Sequence, residues 1–227
     1  MIRHDRYEFD AVLFDLYGTL VRSELPPHQD RLSTRIGVAE ETLLRAFDIT
    51  RSPRDVGTFA SAEGDMAAIL RTCEVEADPD FVRELTTAHL AFLMHTGVQL
   101  YDDTLPVLQK LRSCGIKTAI ISNCDHWTRP VLTALALERE VDEVILSFEV
   151  GVKKPEAEIY RISLDRLAVP PERAVFVDDQ CNYCDGAKAV GIRPHLIVRN
   201  LGHPNPNSGQ YQIIERLADL LCDATEG

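Results

Sequence analysis

The chain has 227 residues, 45% of them hydrophobic, so it can bury one good core with a smaller appended lobe. Its formal net charge of −12 argues against binding to nucleic acid or to an anionic membrane, because both favour a basic protein surface. No apolar run approaches the roughly 18 residues of a membrane span, and residues 1–8 lack the apolar segment of a signal peptide. We therefore expect a cytoplasmic globular protein.

The six cysteines show no framework of spacings and are interpreted as reduced thiols. Cys181 and Cys184 form a CxxC pair, but no second CxxC or histidine pair completes a zinc site. We interpret this pair as ordinary helix residues and leave a redox role open.

The first predicted element is a strand at Ala11 to Phe14, whose continuous apolar sequence indicates burial on both faces. It ends at the carboxylate of Asp15, and a glycine turn at Gly18 follows. Open α/β sheets bind their ligands at the carboxyl ends of their strands. Asp15 is therefore a candidate functional residue, although a carboxylate there can also simply cap a turn.

Residues 22–98 contain helical patterns and no convincing buried strand. Apolar residues recur there at intervals of three and four, as in helices buried on one face, at Ala39 to Phe47, Ala60 to Thr72 and Asp80 to His95. Gly97 is a natural stop for the last of these helices. We interpret 22–98 as a helical cap domain inserted after the first strand, which can exclude water and select the substrate.

From about residue 99 the chain alternates between helices and strands. The predicted elements are a helix from Asp102 or Asp103 to Gly115, a strand at Lys117 to Ile121, a helix at Thr128 to Leu137, a strand at Val144 to Phe148, a helix from Pro155 to Leu167, a strand at Ala174 to Val177, a short helix ending at Gly191, a strand at His195 to Val198 and, after a loop at 202–209, a helix at Gln212 to Leu221. Such alternation is typical of an α/β fold, here a three-layer Rossmann-like parallel sheet formed by residues 1–21 and 99–227.

Polar side chains follow three further predicted strands. A hydroxyl and an amide, Ser122 and Asn123, can hydrogen-bond a phosphoryl or carboxylate oxygen. The ammonium of Lys154 can neutralise both a nucleophile and a transferring group. Two adjacent carboxylates, Asp178 and Asp179, repel each other unless a cation compensates, and Mg²⁺ is the natural oxygen-loving cation.

The order and spacing of these four elements resemble the haloacid dehalogenase-like hydrolase superfamily over nearly the whole chain. The first motif is Asp15-Leu16-Tyr17-Gly18-Thr19-Leu20, and the second is Ser122. The third is Lys154 in Gly151-Val152-Lys153-Lys154-Pro155-Glu156, and the fourth is Asp178-Asp179, followed by Gly186-Ala187 and Gly191. The insert matches the subgroup with a helical cap after the first motif.

The resemblance implies a role for each motif residue. Asp15 would be the nucleophile, Ser122 would bind the transferring group with Asn123 beside it, and Lys154 would hold Asp15 and the substrate together. Asp15, Asp178 and Asp179 would bind Mg²⁺, Asp179 more directly than Asp178. The main-chain carbonyl of Tyr17 would complete the protein ligands of the metal.

Two positions depart from the pattern of the family. Phosphatases usually have a second Asp, the general acid and base, where this chain has Tyr17, and a phenol with a pKa near 10 is a poor base at neutral pH. Tyrosine there resembles the metal-independent 2-haloacid dehalogenases, which usually have Ser and Asn around a single Asp in the fourth motif. Tyr183 stands where Asn or Asp is usual. His126, in the loop after Ser122, is a further candidate substrate group or acid.

We expect a Mg²⁺-dependent phosphatase that acts on a small phosphorylated metabolite through an aspartyl-phosphate. The acidic pair favours this activity, because three clustered carboxylates make little electrostatic sense without a cation. Two alternatives are a metal-independent 2-haloacid dehalogenase that uses Asp15 on carbon and a binding or regulatory protein without turnover. The protein is expected to be a monomer or a homodimer, and its expected partner is the substrate, not nucleic acid or membrane.

Overall fold

The structure, a computed structural model, describes residues 7–23, 26–199 and 211–221, and of residues 26–30 only the main chain. Its central sheet has six strands: β1 Ala11–Phe14, β4 Lys117–Ser122, β5 Glu143–Leu146, β6 Ala174–Asp178, β7 Arg193–Ile197 and β8 Gln212–Ile214. They are parallel and lie in the order β5-β4-β1-β6-β7-β8. The α/β Rossmann-like fold class predicted from the sequence is therefore confirmed.

Strand β1 lies at the centre of the sheet, which explains its unbroken apolar sequence. Val12 and Phe14 pack into one hydrophobic cluster, while Ala11 and Leu13 pack into a second cluster on the opposite face. Five helices belong to the two outer layers: α5 Thr104–Ser113, α6 Thr128–Ala134, α7 Ser147–Val150, α8 Ala157–Leu167 and α9 Cys181–Ala189. Apolar residues of α5 and α6 join the first cluster, and those of α8 and α9 join the second.

Four helices lie between the first strand and the rest of the sheet: α1 Pro26–Ile36, α2 Glu40–Asp55, α3 Ala62–Thr72 and α4 Pro79–Phe92. The predicted helices are confirmed, although α2 continues well past Phe47. Two short strands that the sequence did not predict, β2 Val21–Ser23 and β3 Val98–Leu100, pair in antiparallel orientation where the chain enters and leaves this segment. The division into two domains at these positions stays a prediction.

The end of the described chain differs from its prediction. The helix predicted at Gln212 to Leu221 is wrong: the chain forms β8 and then a short 3-10 helix at Leu217–Leu221. Apolar residues in so short a segment fit both helical and strand spacing, and pairing with β7 decides for the strand. The carboxylate of Asp219 accepts the main-chain N–H groups of Glu215 and Arg216, which stabilises the turn after β8. The loop at 202–209 lies outside the described residues.

Two further boundaries are corrected. The strand predicted to run to Phe148 ends at Leu146, because Ser147 begins α7. There the Ser147 hydroxyl accepts the main-chain N–H of Cys124 and donates to its carbonyl. The helix predicted to begin at Pro155 begins at Ala157, because the main chain at Lys154 is bound elsewhere, as described below.

The helix predicted to begin at Asp102 or Asp103 begins at Thr104, the first residue of α5. Asp103 does precede α5, but its side chain makes no capping bond. The carboxylate instead pairs with Arg199 and accepts the main-chain N–H of Leu217, so it joins the end of the described chain to the core. Among the described residues, no helix is long and apolar enough to cross a membrane.

Candidate active site

A buried lysine joins two strand ends at the carboxyl edge of the sheet. The Lys154 ammonium donates to Asp15 Oδ1 at 2.6 Å and to Asp178 Oδ2 at 2.7 Å. The side chains of Lys154 and Asp178 are completely buried, and that of Asp15 is only 10% exposed. Residues 139 positions apart in the sequence thus form one ionic cluster.

Parallel pairing explains why the two carboxylates meet. Phe14 of β1 lies beside Val177 of β6, so the next residues, Asp15 and Asp178, leave the sheet side by side. The main-chain N–H of Asp15 also donates to the carbonyl of Val177 at 2.9 Å. The sequence predicts this meeting correctly, because both strands are buried and both end in a carboxylate.

Asn123 holds the main chain at Lys154. Its Oδ1 accepts the N–H of Lys154 at 2.8 Å, and its Nδ2 donates to the Lys154 carbonyl at 2.9 Å. The amide of Asn123 is thus already bound to the protein. The sequence analysis expects Asn123 to bind the substrate directly. The two hydrogen bonds favour a different role, in which Asn123 positions Lys154.

A third carboxylate, Asp179, completes an acidic group in which one ligand atom from each of Asp15, Asp178 and Asp179 lies within 4.8 Å of the others. Asp179 packs against Gly18, which has a φ of +85°. A Cβ atom at Gly18 would overlap the Asp179 carboxylate. Glycine is therefore required at this turn both for its main-chain conformation and for the close approach of the acid.

The charges in this cluster are unbalanced. Burial raises the pKa of Asp178, opposed by Lys154 and reinforced by the Asp15 charge. Burial and the Asp15 charge raise the pKa of Asp179 to about 6. Although burial disfavours the ammonium, Asp15 and Asp178 raise the pKa of Lys154, which stays charged. Three carboxylates facing one ammonium form a donor set that suits a hard divalent cation such as Mg²⁺.

Ser122 lies at the carboxyl end of β4. Its hydroxyl is buried and has no hydrogen-bond partner among the described residues. A buried hydroxyl without a partner is costly, and an oxygen of a bound substrate would satisfy it. The role of Ser122 in binding the transferring group, which the resemblance implies, stays a prediction.

Tyr17 lies in the turn after β1, with its hydroxyl 3.4 Å from Oγ1 of Thr128. Burial raises the pKa of Tyr17 above its usual range, and the nearby charges of Asp125 and Asp15 act in the same direction. The side chain is therefore a neutral phenol at physiological pH. It cannot serve as a general base in place of the second Asp of the phosphatase pattern.

Tyr183, a departure from the family pattern, lies against the lysine. Its ring centroid is 4.7 Å from Lys154 Nζ, and its hydroxyl accepts the Nδ2 of Asn123 at 3.2 Å. A cation over an aromatic face is stabilised by the ring quadrupole. The missing Asn or Asp marks this position in the sequence as unusual, but the sequence does not predict the contact with Lys154.

A cavity of about 350 Å³ extends from Asp15 to the helices of the inserted segment. Residues of the inserted segment, of β2 and β3 and of the sheet loops share its wall: Asp15, Tyr17, Ser23, Leu32, Phe47, Arg51, Arg54, Asp55, His89, Leu93, Val98, Asn123, Cys124, Asp125, Trp127, Thr128, Gln180 and Tyr183. His126, a candidate from the sequence, does not line it. Its Nδ1 lies 2.8 Å from the buried carboxylate of Asp65 on α3, so it joins the inserted segment to the core.

The described cysteines form no disulfide bond with one another, as the interpretation of reduced thiols requires: Cys73, Cys114, Cys124, Cys181 and Cys184. Cys181 and Cys184 lie in the first turns of α9 as ordinary helix residues. Burial raises the pKa of the Cys184 thiol, which makes it a poor nucleophile.

Comparisons with known proteins agree with this geometry. The family model described as haloacid dehalogenase-like hydrolase matches residues 9–191. The chain is 29% identical to glyceraldehyde 3-phosphate phosphatase from Methanopyrus kandleri over 220 residues, which cover 90% of the chain and 87% of the relative. It is 26% identical to (S)-2-haloacid dehalogenase 4A from Burkholderia cepacia over 226 residues, which cover 93% and 94%.

Coverage differs among the relatives. A match to haloacid dehalogenase-like hydrolase domain-containing protein 3 from Mus musculus is 37% identical but covers only 44% of the chain and 45% of that relative. Among solved structures, a haloacid dehalogenase-type phosphatase from Thermococcus onnurineus superposes with a TM-score of 0.68 at 28% identity. The superposition covers 93% of this chain and 95% of the phosphatase chain. Phosphatases and dehalogenases thus both occur among the similar proteins.

Proposed function

The chain belongs to the haloacid dehalogenase-like hydrolases, and from that premise we propose that it is a Mg²⁺-dependent phosphatase of a small phosphorylated substrate. The observation that carries this proposal is the convergence of Asp15, Asp178 and Asp179 around the single ammonium of Lys154. An enzyme that attacks carbon with one carboxylate has no use for two further acids beside it. A divalent cation and a phosphoryl group balance this arrangement.

The three carboxylates would hold Mg²⁺, together with the main-chain carbonyl of Tyr17. Bound Mg²⁺ would offset the negative charge of the acids and of the transferring phosphoryl group. This role suits the observed site, because burial raises the pKa of both Asp178 and Asp179, and a nearby cation would favour their ionised forms.

The protein side chains divide the remaining work. A carboxylate oxygen of Asp15 attacks phosphorus, the bond from phosphorus to the ester oxygen breaks, and an aspartyl-phosphate forms. The alcohol leaves and takes up a proton from solvent, which the water of the second step returns. Lys154 stays charged beside Asp15, and the Ser122 hydroxyl donates to an oxygen of the transferring group. Water then attacks phosphorus, which releases inorganic phosphate and restores Asp15.

A second activity, metal-independent dehalogenation of a 2-haloacid by Asp15, is favoured by two observations. Tyr17 is a neutral phenol at the position where the phosphatase pattern has an acid and base, and the dehalogenase from Burkholderia cepacia matches nearly the whole chain. The acidic pair at Asp178 and Asp179 argues against it, because a mechanism without metal leaves those charges uncompensated.

Phosphate release from a panel of phosphomonoesters, with Mg²⁺ and with a chelator, tests the proposal. We expect turnover that requires Mg²⁺ and is absent in Asp15→Asn. Halide release from 2-chloropropanoate in the presence of the chelator would instead establish the dehalogenase. Failure of both reactions, with retained binding of a phosphorylated ligand, would establish a binding protein.

We also propose a cellular compartment, a partner and an oligomeric state for the enzyme. The net charge of −12 supports a partner that is the substrate and not a nucleic acid or a membrane, and the lack of disulfides among the described cysteines supports a cytoplasmic protein. We propose a monomer or a homodimer. Light scattering after size-exclusion chromatography would contradict this if it gave a larger assembly.

A further inference from the structure

Most polar side chains that the structure describes on the inner cavity wall are bound to other groups of the protein. Arg54 of α2 pairs with Asp125, donates to Oγ1 of Thr50 at 3.2 Å and to the carbonyl of Phe47 at 3.0 Å, and is buried. Its guanidinium also lies over the rings of Phe47 and Trp127, at 5.3 and 5.4 Å from their centroids. Arg54 and Asp125 therefore offer little hydrogen-bonding capacity to a ligand.

The same is true of other polar groups on the inner wall. The amide of Asn123 is bound to Lys154, the hydroxyls of Tyr17 and Thr128 contact each other, and Asp55 lies 3.6 Å from the ammonium of Lys153. The buried His89 packs edge-on against Trp127, at 4.6 Å between ring centroids. Beyond the catalytic end, the inner wall presents mainly satisfied polar groups.

The rest of the wall separates into an apolar interior and a polar rim. Leu32, Leu93, Val98 and Trp127 line the cavity and are buried, and Phe47 is half-buried beside them. Three polar lining residues, Ser23, Arg51 and Gln180, are exposed to solvent and form this rim. One inner donor stands apart: Nε1 of Trp127 is buried without a hydrogen-bond partner among the described residues.

From this distribution we infer that the alcohol part of the substrate is apolar or aromatic, with few hydroxyl groups. The inference rests on the proposed phosphatase activity and specifies its substrate class. A polyol phosphate would bring several hydroxyls against a wall whose polar groups are already paired, and each unpaired hydroxyl would lose its water without replacement. An apolar body would bury its carbon surface against Leu93, Val98 and Phe47. The Trp127 N–H can bind a single acceptor of that body.

The test compares kcat/KM for benzyl phosphate and glycerol 1-phosphate in the presence of Mg²⁺. Both release a primary alcohol, so the leaving groups are similar and the comparison reports on the cavity. We expect benzyl phosphate to be favoured by about tenfold or more, the discrimination that a buried apolar group provides. Equal values, or a preference for glycerol 1-phosphate, would overturn the inference while leaving the phosphatase proposal intact.

A matched pair of variants locates the preference in the cavity. Val98→Thr replaces a buried methyl of the wall by a hydroxyl at nearly constant volume, and Val107→Thr makes the same change in α5, away from the cavity. We expect Val98→Thr to lower the ratio of the two kcat/KM values at least threefold and Val107→Thr to leave it unchanged. If the two variants gave the same ratio of kcat/KM values, the conclusion that the wall at Val98 selects the substrate would be contradicted.

Binding can be measured without turnover, because Trp127 is the single tryptophan of the chain and lines the cavity. Titration of its fluorescence with benzylphosphonate and with 2,3-dihydroxypropylphosphonate, both with Mg²⁺, should show tighter binding of the benzyl compound by about tenfold or more. If no ester is hydrolysed but this difference is found, the activity proposal fails and the apolar site stands. Equal binding, or binding of neither compound, overturns the apolar site.

Discussion

The two ends of the cavity handle charge in opposite ways. At the sheet edge, Asp15, Asp178 and Asp179 crowd around the ammonium of Lys154 and leave negative charge uncompensated. Toward the inserted helices, Arg54 and Asp125 are paired. Unbalanced charge can act on a substrate, whereas paired charge supports the shape of the wall. We therefore expect substitutions at the carboxyl ends of the strands to abolish turnover, and substitutions in the cavity wall to reduce turnover by smaller, graded amounts.

The largest effect is expected for Asp15→Asn. The amide cannot attack phosphorus, so phosphate release should fall by about 10⁴-fold or more. The fold should survive, because Lys154 keeps Asp178 as its partner. Circular dichroism and a phosphate-release assay measure both properties.

Asp10→Asn is the matched control for this change. Asp10 immediately precedes β1, at the amino end of the strand and thus at the end of the sheet away from the site. There its exposed carboxylate pairs with Arg173. Activity should stay at the level of the unmodified protein. A comparable loss in both variants would show that the nucleophile is not Asp15.

Lys154→Met should reduce both activity and stability. The change leaves Asp15 and Asp178 without their cation, which in a buried pair costs about 3–5 kcal/mol of the free energy of unfolding. Phosphate release should fall by about 100-fold or more, since the charge beside the transferring group is lost. Urea unfolding, monitored by circular dichroism, gives the stability.

The neighbouring Lys153 provides the control. Its side chain is 25% exposed and lies 3.6 Å from Asp55, a pair of the kind that contributes at most about 1 kcal/mol. Lys153→Met should therefore leave stability and turnover nearly unchanged. Similar losses in the two variants would remove the distinction between the buried cluster and the longer, partly exposed pair of Lys153 with Asp55.

Asn123→Ala tests whether the site depends on the placing of Lys154. Two hydrogen bonds to the lysine main chain are lost, so kcat should fall by about tenfold while KM changes little. Asn182→Ala, on an exposed position of α9, is the control. A rise in KM with kcat unchanged would instead assign Asn123 to direct substrate binding.

Arg54→Met should produce the smallest loss of turnover. The free energy of unfolding should fall by about 3 kcal/mol, because Asp125 loses its partner, whereas kcat should change by less than about tenfold. Steady-state kinetics and urea unfolding of the same preparation separate the two effects. A loss of activity as large as that of Lys154→Met would contradict the view that the strand ends carry the chemistry and that Arg54 only supports the cavity wall.

The same contrast explains how far the sequence could predict the site. Asp15, Ser122, Lys154 and Asp178 each follow or lie near the end of an apolar strand, and parallel strands bring such residues to one edge. This local signal carries both the fold class and the chemical residues. The meeting of Asp15 with Asp178 follows from it directly, because β1 and β6 are neighbours in the sheet.

The wall had no comparable signal. Phe47, Leu93 and Val98 belong to ordinary helical or strand patterns, and only tertiary packing shows that they face the cavity. The contact of Tyr183 with Lys154 likewise joins residues that are distant in the sequence. The sequence predicts a helix where β8 forms, because three residues carry too little periodicity and the pairing with β7 is not local.

The most direct test of the central claim follows the oxygen of the hydrolytic water. During turnover of a phosphomonoester with Mg²⁺ in ¹⁸O-labelled water, mass spectrometry should find the label in the released phosphate, because water attacks phosphorus. The peptide that contains Asp15 should stay unlabelled. Label in the Asp15 carboxylate, acquired during turnover of a 2-haloacid and not of any phosphomonoester, would contradict the account and assign the attack to carbon.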